Sequence, residues 1–157
     1  MPRIVIIGNS GSGKSTLAQS LARESGLMLL DLDTLAWEAA NPTTRRRLDE
    51  SLAAITAFMD ASESWVVEGC YADLLAPVIA RCTRLIFLNP GIEACVRNCR
   101  TRPWEPHKYP SREAQDKNLE MLVGWVREYA NRQDEFSLRS HRRLFDDFQG
   151  DKVEVTS

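Results

Sequence analysis

Short apolar runs alternate along the chain with segments whose apolar residues recur every three or four positions. The run RIVII at residues 3–7 is β-branched and apolar on both faces, which is typical of a central parallel strand. Comparable runs follow at residues 27–32, 65–69, 84–90 and 152–156. The pattern therefore predicts five strands with helices between them.

The predicted helices carry apolar stripes at helical spacing. The first includes Leu17 and Leu21 and ends at Gly26, and a second is predicted to begin at Asn41-Pro42, where an N-cap precedes a first-turn proline. Helical spacing also marks four later segments, at residues 74–79, 92–99, 111–129 and 138–148. Strands that alternate with helices predict an α/β fold, with a parallel sheet between two helical layers.

Composition limits the organisation and the partners of this chain. Its 157 residues, of which 43% are hydrophobic and 27% charged, predict a single domain over residues 1–157. The formal charge of −2 gives no general attraction to nucleic acid or to an anionic membrane, so we expect neither as a partner. No apolar run approaches the ~20 residues that span a bilayer. We expect a cytoplasmic monomer.

The cysteines do not show the spacing of a structural zinc site. There is no C-x-x-C pair, and the chain has only two histidines. Cys95 and Cys99 are four positions apart and would share a helix face with Ile92 and Val96. Because free cysteine behaves as a small apolar residue, we expect both thiols to pack in the core.

The segment between the first strand and the first helix, GNSGSGKS, matches the phosphate-binding loop pattern G-x-x-x-x-G-K-S. A strand that turns tightly into a helix directs several free backbone N–H groups at one point, where an anion is stabilised. In this pattern Lys14 binds the outer phosphates and the Ser15 hydroxyl binds Mg²⁺. The predicted nucleotide-binding residues of this segment are Gly8, Ser10, Gly11, Ser12, Gly13, Lys14, Ser15 and Thr16.

Acidic residues stand where two other strands end, at the edge of the sheet that receives the phosphate loop. The second strand ends with Asp31-Leu-Asp33 and the third with Glu68-Gly69. Carboxylates beside a phosphate loop suit Mg²⁺ coordination or the positioning of a nucleophile. We predict that Asp31, Glu68 and Ser15 bind Mg²⁺. Asp33 would face the same side as Asp31 and accept a hydrogen bond from the attacking hydroxyl; the alternatives are an N-cap for Asp33 and a solvated strand end for Glu68.

Arginines gather after the fourth strand, at positions 97, 100 and 102. A guanidinium binds phosphate oxygens bidentately, so we predict that Arg100 and Arg102 act with Lys14 on the transferring phosphoryl group. A solvated helix face is the alternative, especially for Arg97. Aromatic and histidine side chains either line an acceptor pocket or pack in the core and loops, namely Trp37, Trp104, His107 and Tyr109.

With these features the chain resembles the small-molecule kinases of the phosphate-loop class, in the adenylate kinase and shikimate kinase group. The resemblance implies the sheet order 2-3-1-4-5, ATP as the nucleotide and a helical lid at about residues 101–135, inserted after the fourth strand. DLD at residues 31–33 is similar to the D-x-D of shikimate kinases, in which the first acid lies near the metal and the second holds the acceptor hydroxyl. RTRP at residues 100–103 looks like their lid.

A closer resemblance, over residues 3–102, is to the adenylate-kinase-related DNA topology modulation proteins. It is carried by IVIIGNSGSGKSTLAQSLA, DLDTLAW, VVEGCY and LIFLNP, in that order. The R-x-D-E segment at Arg132 looks like the R-x-D-D of adenylate kinase lids, which implies that Arg132 binds the nucleotide. Family members tend to have Asp at Glu68 and at Asn89. The shikimate kinases' triple glycine after the third strand and the adenylate kinase acceptor pattern are both missing, which argues against shikimate and AMP.

These features predict a phosphotransferase that moves the γ-phosphoryl group of ATP to a small acceptor, a nucleotide or a hydroxylated metabolite. The alternative is an ATP-binding hydrolase or regulator, possibly related to nucleic acid, that uses no small acceptor. The basic clusters at residues 45–47 and 141–143 are expected to be solvated helix faces. By analogy with the family, the nucleotide base would pack near residues 150–152.

Overall fold

A five-stranded sheet forms the centre of the computed structural model, which describes residues 1–40 and 44–157. All neighbouring strands in this described part are parallel. The strands are β1 (Arg3–Gly8), β2 (Met28–Asp31), β3 (Trp65–Gly69), β4 (Arg84–Leu88) and β5 (Asp151–Val155). Their order, β2-β3-β1-β4-β5, confirms the predicted sheet.

Seven helices lie in the described ranges. They are α1 (Lys14–Ser25), α2 (Asp33–Ala36), α3 (Leu48–Asp60), α4 (Ala72–Ile79), α5 (Ile92–Thr101), α6 (Arg112–Arg127) and α7 (Leu138–Asp147). The short α2 was not predicted. The predicted start of the next helix at Asn41-Pro42 lies outside the described residues, and α3 itself begins only at Leu48. Before it, Arg45 forms an isolated antiparallel bridge with Trp37, so the backbone pairs locally there and is not helical.

Apolar clusters cover both faces of the sheet. On one face Ile6 and Val66 pack against Ala18 of α1. On the other face, a larger cluster joins the strands to α3 and α4, with Ile55 and Leu75 among its buried members. Because the central strands are buried on both faces, they read as continuous apolar runs in the sequence. The three-layer α/β fold is therefore confirmed.

A third cluster joins α5 to α6. Its buried members are Cys95, Val96, Cys99, Val123 and Val126, so the two cysteines pack in an apolar core as predicted. Helix α6 begins after Ser111, whose Oγ accepts a hydrogen bond from the backbone N–H of Ala114 at 3.1 Å. In the part of the chain that the structure describes, no helix is long and apolar enough to cross a bilayer.

Candidate functional site

The phosphate loop connects β1 to α1 at the carboxyl edge of the sheet. Gly11 and Gly13 have φ values of +81° and +97°, a region that side chains rarely adopt. A Cβ on Gly11 would lie 2.3 Å from the backbone oxygen of Cys95, so α5 packs directly against the loop. Gly13 occupies the N-cap of α1 without a side-chain cap. The first N–H groups of α1 are therefore left for a ligand.

Two polar side chains are buried in this loop in a way that suits an anion. Lys14 is only 8% exposed, and its Nζ donates a hydrogen bond to the carbonyl of Asn9 at 2.8 Å. The Oγ of Ser12 is buried and, among the described residues, has no hydrogen-bond partner. A buried hydroxyl without a partner is costly unless a ligand satisfies it. Both groups fit the phosphates of a nucleotide.

Two asparagines fasten the loop to the helices beside it. Asn98 of α5 donates its Nδ2 hydrogen to the backbone oxygen of Gly11 at 2.7 Å. Asn9, within the loop, donates its Nδ2 hydrogen to the carbonyl of Val126 in α6 at 3.2 Å. The loop is therefore held from the side of the predicted lid as well as by the sheet.

Ser15 and Glu68 form the predicted magnesium corner. The Ser15 hydroxyl donates a hydrogen bond to Oε2 of Glu68, and Glu68 is only 3% exposed. Burial, together with the charge of Asp31, raises the pKa of Glu68 to about 7 against the opposing charge of Lys14. Burial and the neighbouring Asp33 also raise the pKa of Asp31. Hydroxyl and carboxylate oxygens are donor types that suit Mg²⁺, but the described residues bring no three acidic, histidine or cysteine side chains close enough together to hold a metal ion by themselves.

Asp31, which ends β2, and Asp33, which begins α2, have different hydrogen-bond partners. The Oδ1 of Asp31 accepts a hydrogen bond from the backbone N–H of Asp33 at 2.9 Å. It is therefore Asp31, and not Asp33 as the alternative reading had it, that binds the first backbone N–H of α2. The carboxylate of Asp33 is left to other partners. Tyr71 donates its hydroxyl hydrogen to Oδ1 of Asp33, and Lys108 donates to Oδ2 at 2.8 Å.

Lys108 comes from the irregular segment between α5 and α6 and ends among three carboxylates. Its Nζ lies 2.8 Å from Asp33, 3.4 Å from Glu105 and 3.8 Å from Asp31. Burial alone would raise the pKa of Asp33, but Lys108 and the hydrogen bond from Tyr71 hold that pKa below its usual value. Asp33 is therefore ionised at neutral pH and able to accept a hydrogen bond.

Aromatic rings and an arginine surround Tyr71. Trp37 donates its indole hydrogen to the Tyr71 hydroxyl at 2.9 Å. The guanidinium of Arg45 lies 5.0 Å from the centre of the Tyr71 ring and pairs with Asp73 at 3.1 Å and Glu135 at 3.0 Å. Trp37 also packs against the large apolar cluster, which corresponds to the core-packing alternative.

Trp104, His107 and Tyr109, which were predicted with Trp37 to line an acceptor pocket or to pack, lie in the segment that carries Lys108. The indole of Trp104 donates to the backbone oxygen of Tyr109 at 3.1 Å, and the Tyr109 hydroxyl accepts from Asn118 at 2.8 Å. His107 Nε2 lies 3.8 Å from the carboxylate of Glu105. These contacts correspond to the loop-packing alternative.

The three arginines predicted to act on the nucleotide, Arg100, Arg102 and Arg132, have different partners in the structure. Arg102 lies 3.4 Å from Glu105, which also contacts Lys108, so it joins the network around Asp33. Arg100 is exposed, and its guanidinium binds Glu120 of α6 at 2.6 Å. Arg132 binds Asp134 at 3.0 Å and the carbonyl of Trp125 at 3.1 Å, and it stacks 4.0 Å from the centre of the Trp125 ring. The last two are thus held by residues of the predicted lid.

A cavity of about 280 Å³ opens beside the phosphate loop. It is lined by Ser12, Leu88, Pro90, Ala94, Arg97, Asn98, Val155 and Ser157. Val155 pairs with Leu88 at the carboxyl ends of β4 and β5. Residues 150–152, where the base was expected, lie at the opposite edge because β5 runs parallel to its neighbour and begins there. That expectation is wrong, since it placed the base before the strand instead of after it.

Sequence reasoning missed Tyr71, Lys108, Glu105 and Asn9. Tyr71 lies two residues after the end of β3, in the segment VVEGCY. This position alone places it near the carboxyl edge of the sheet and could have identified it. Lys108 lies in a proline-rich segment without periodicity, where no spacing predicts which side chain turns inward. Asn9 occupies a free position of the phosphate-loop pattern.

Comparison with known proteins agrees with this geometry. The model of a protein family described as AAA domain matches residues 4–121. No curated protein matches the chain.

Solved structures with a similar fold include an unliganded sugar kinase from Janibacter sp., with 14% identity and a TM-score of 0.56 over 99% of this chain and 85% of that one. A gluconokinase from Sinorhizobium meliloti has 22% identity and a TM-score of 0.56 over 99% and 83%. A shikimate kinase from Bacteroides thetaiotaomicron has 18% identity and a TM-score of 0.51 over 92% and 97%. At these identities the likeness shows a shared fold.

Proposed function

The chain belongs to the AAA domain family, and within it we propose a kinase that transfers the γ-phosphoryl group of ATP to a small-molecule acceptor. The observation that carries this proposal is the position of Asp33. Its ionised carboxylate is oriented by Tyr71 and lies near enough to the phosphate loop for the charge of Lys14 to lower its pKa. A carboxylate held at this point suits a hydroxyl that attacks the terminal phosphate.

The proposed reaction forms one bond and breaks one. The acceptor oxygen bonds to the γ-phosphorus, and the bond from that phosphorus to the oxygen bridging to the β-phosphate breaks, which releases ADP. Asp33 accepts the hydroxyl proton and later returns it to solvent. Most of the acceleration in such transfers comes from positioning and charge neutralisation, which Lys14 and Arg102 supply.

Nucleotide binding is assigned to the phosphate loop. Lys14 leaves the Asn9 carbonyl for the outer phosphates, while the backbone N–H groups and the hydroxyls of the loop bind the remaining oxygens. The assigned residues are Gly8, Ser10, Gly11, Ser12, Gly13, Lys14, Ser15 and Thr16, with Arg132 contributed by the lid. Ser15, Glu68 and Asp31 would hold a magnesium ion, which would supply positive charge to the phosphates when bound.

We further propose that residues 101–135 act as a lid within a single domain of residues 1–157. Arg102 already contacts the network around Asp33, whereas Arg100 reaches the phosphates only if it exchanges Glu120 for them. A monomeric state and a cytoplasmic location remain predictions.

The proposal is tested by measuring ADP release from ATP and Mg²⁺ against a panel of acceptors. Sugars, gluconate and shikimate are included because kinases with this fold are described as acting on them, and nucleosides and nucleoside monophosphates complete the panel. Lys14→Ala serves as the blank. Asp33→Asn is expected to abolish acceptor phosphorylation and to retain ATP binding by calorimetry, while Asp116→Asn on the exposed face of α6 controls for a lost surface charge.

Two results would contradict the proposal. ADP release that no acceptor stimulates favours a hydrolase or a regulator instead. Full acceptor phosphorylation by Asp33→Asn removes the role assigned to that carboxylate.

A further inference from the structure

Lys108 has a placement that the kinase reaction by itself does not require. It is the lysine of the segment between α5 and α6, and its side chain is 21% exposed although it carries a charge. Its ammonium donates to Oδ2 of Asp33, while Oδ1 accepts from Tyr71. Both oxygens of the proposed base are therefore bound to protein donors before any acceptor is present.

The two bonds on Asp33 differ in how firmly they are held. Tyr71 is 2% exposed, receives a hydrogen bond from Trp37 and packs in the main core, so its bond belongs to the fixed body of the protein. Lys108 belongs to an irregular connection outside the helices, on a long side chain with several rotatable bonds. Of the two donors, Lys108 is the one that can leave Asp33.

Lys108 also has other carboxylates with which it can pair when it leaves Asp33. Its Nζ lies 3.4 Å from Glu105 and 3.8 Å from Asp31, so a shift of about 1 Å exchanges one carboxylate partner for another without exposing the charge to an apolar surface. Glu105 is 18% exposed and is held in turn by Arg102. An arriving hydroxyl can therefore take Oδ2 of Asp33 while Lys108 remains paired.

We propose that Lys108 occupies Oδ2 of Asp33, whose side chain is 36% exposed, until the acceptor arrives, and so makes the enzyme select its acceptor over water. This rests on the kinase activity proposed above. Water is the competing nucleophile in every such transfer: its oxygen bonds to the γ-phosphorus, the same bridging bond breaks, and ADP, inorganic phosphate and a proton result. A multi-atom acceptor gains binding energy that can displace the lysine, whereas a single water molecule has none to spend on it.

The test measures ADP release without acceptor, and then the kcat and KM for the acceptor that the panel identifies. Lys108→Met is expected to raise acceptor-independent release at least about fivefold and to lower the acceptor KM, since the hydroxyl no longer competes with an ammonium. Lys108→Gln keeps a neutral donor and should fall between Lys108→Met and wild type. Lys108→Arg keeps the charge and should stay near wild type, and Lys117→Met replaces an exposed lysine of α6 as the matched control.

A double variant separates this proposal from the kinase proposal. Adding Asp33→Asn to Lys108→Met should return ADP release to the wild-type level, because the water activated by Asp33 loses its base. This readout needs no acceptor, so it remains valid even if no compound of the panel is phosphorylated. In that case the kinase proposal fails and selection of an acceptor fails with it, but the measurement still decides whether Lys108 restrains hydrolysis through Asp33.

The result that would overturn the proposal is acceptor-independent release that is unchanged or lower in folded Lys108→Met and Lys108→Gln. Lower release would mean that the ammonium promotes transfer to water, for instance by keeping the Asp33 carboxylate ionised against burial. Circular dichroism and thermal unfolding establish which variants are folded. If Lys108→Met does not fold, because three carboxylates lose their shared cation, Lys108→Gln carries the comparison.

Discussion

The hydroxyl of Tyr71 donates a hydrogen bond to one oxygen of Asp33, and Trp37 donates to that same hydroxyl at 2.9 Å. Asp33 is the first residue of the short helix α2, whereas Tyr71 immediately precedes α4 and lies in the core. The bond therefore ties a carboxylate on a short surface element to the rigid centre of the domain. The orientation of the proposed base depends on this link.

Tyr71→Phe removes only the hydroxyl and should loosen Asp33 without emptying the core. We expect kcat for acceptor phosphorylation to fall about tenfold while ATP binding is unchanged. The indole of Trp37 loses its acceptor at the same time, so the free energy of unfolding should decrease by about 1–2 kcal/mol. Steady-state kinetics with denaturant unfolding measures both effects. Unchanged kcat with reduced stability would show that the bond is only structural.

Gly11→Ala should damage the phosphate loop more than Gly26→Ala damages the end of α1. Both glycines have positive φ, and alanine pays about 1–2 kcal/mol of strain in either position. At Gly26 the new Cβ meets nothing within 4 Å, but at Gly11 it would lie 2.3 Å from the Cys95 oxygen and 2.8 Å from the Cys99 sulfur. We expect Gly11→Ala to cost about 2 kcal/mol more in unfolding free energy and to abolish nucleotide binding.

Denaturant unfolding and nucleotide titration of the two glycine variants check this expectation. Equal losses of stability would contradict the close packing of α5 against the phosphate loop.

Arg102→Met should impair catalysis more than Arg100→Met does. Arg102 joins the network of Glu105 and Lys108, so its loss is expected to lower kcat about tenfold. Arg100 is exposed and pairs with Glu120, an interaction of little energetic weight, so its loss should change kcat less than about twofold if the lid keeps this arrangement. The reverse order of effects would mean that Arg100 leaves Glu120 during turnover.

His141 should make the protein less stable as the pH falls. It is fully buried, its Nδ1 shares a hydrogen with the Tyr129 hydroxyl at 2.6 Å, and its Nε2 contacts the Cys70 oxygen at 2.7 Å. Burial lowers the pKa of His141 to about 4, against the opposing hydrogen bond to Cys70. Between pH 6.5 and 4, His141 is therefore protonated in the unfolded chain but neutral in the folded protein. His141 by itself should lower the free energy of unfolding by up to about 3 kcal/mol between pH 6.5 and 4.

Comparing wild type with His141→Gln isolates this effect. Glu68 has a raised pKa of about 7, so the folded protein binds its proton more readily and gains stability as the pH falls from 7 to 4.5, which opposes the histidine. The difference between the two proteins cancels that contribution. We expect the wild-type curve to be the flatter of the two, because the two groups oppose each other there, whereas His141→Gln should gain stability as the pH falls. Parallel curves from denaturant unfolding would contradict a neutral buried histidine.

The regular elements were predictable because each is encoded locally. The run RIVII is apolar on both faces because β1 lies between two strands and two helical layers. Burial on both faces requires apolar residues at successive positions. The phosphate loop was equally readable, since Gly11 and Gly13 occupy backbone conformations that other residues avoid. In both cases the requirement, burial or an unusual backbone conformation, falls on residues that are adjacent in the sequence.

The acceptor side was less predictable because its contacts join distant segments. Asp31 and Asp33 do face a common partner, but through the turn into α2 and not along an extended strand. That partner is Lys108, 75 positions away from Asp33 along the chain. Which side chain of an aperiodic loop turns inward is decided by tertiary packing, and nothing in the local sequence records it.

The hydrogen bond from Asn9 to the carbonyl of Val126 makes the phosphate loop and α6 parts of one structure. Val126 is fully buried against the same cluster as Cys99, whose sulfur would contact a Cβ on Gly11. The proposed lid is therefore not structurally independent of the phosphate loop. Deleting α6 would remove helix contacts that support the loop. The connections on either side of α6 are no safer for insertions, because the one before it carries Lys108 and the one after it carries Arg132.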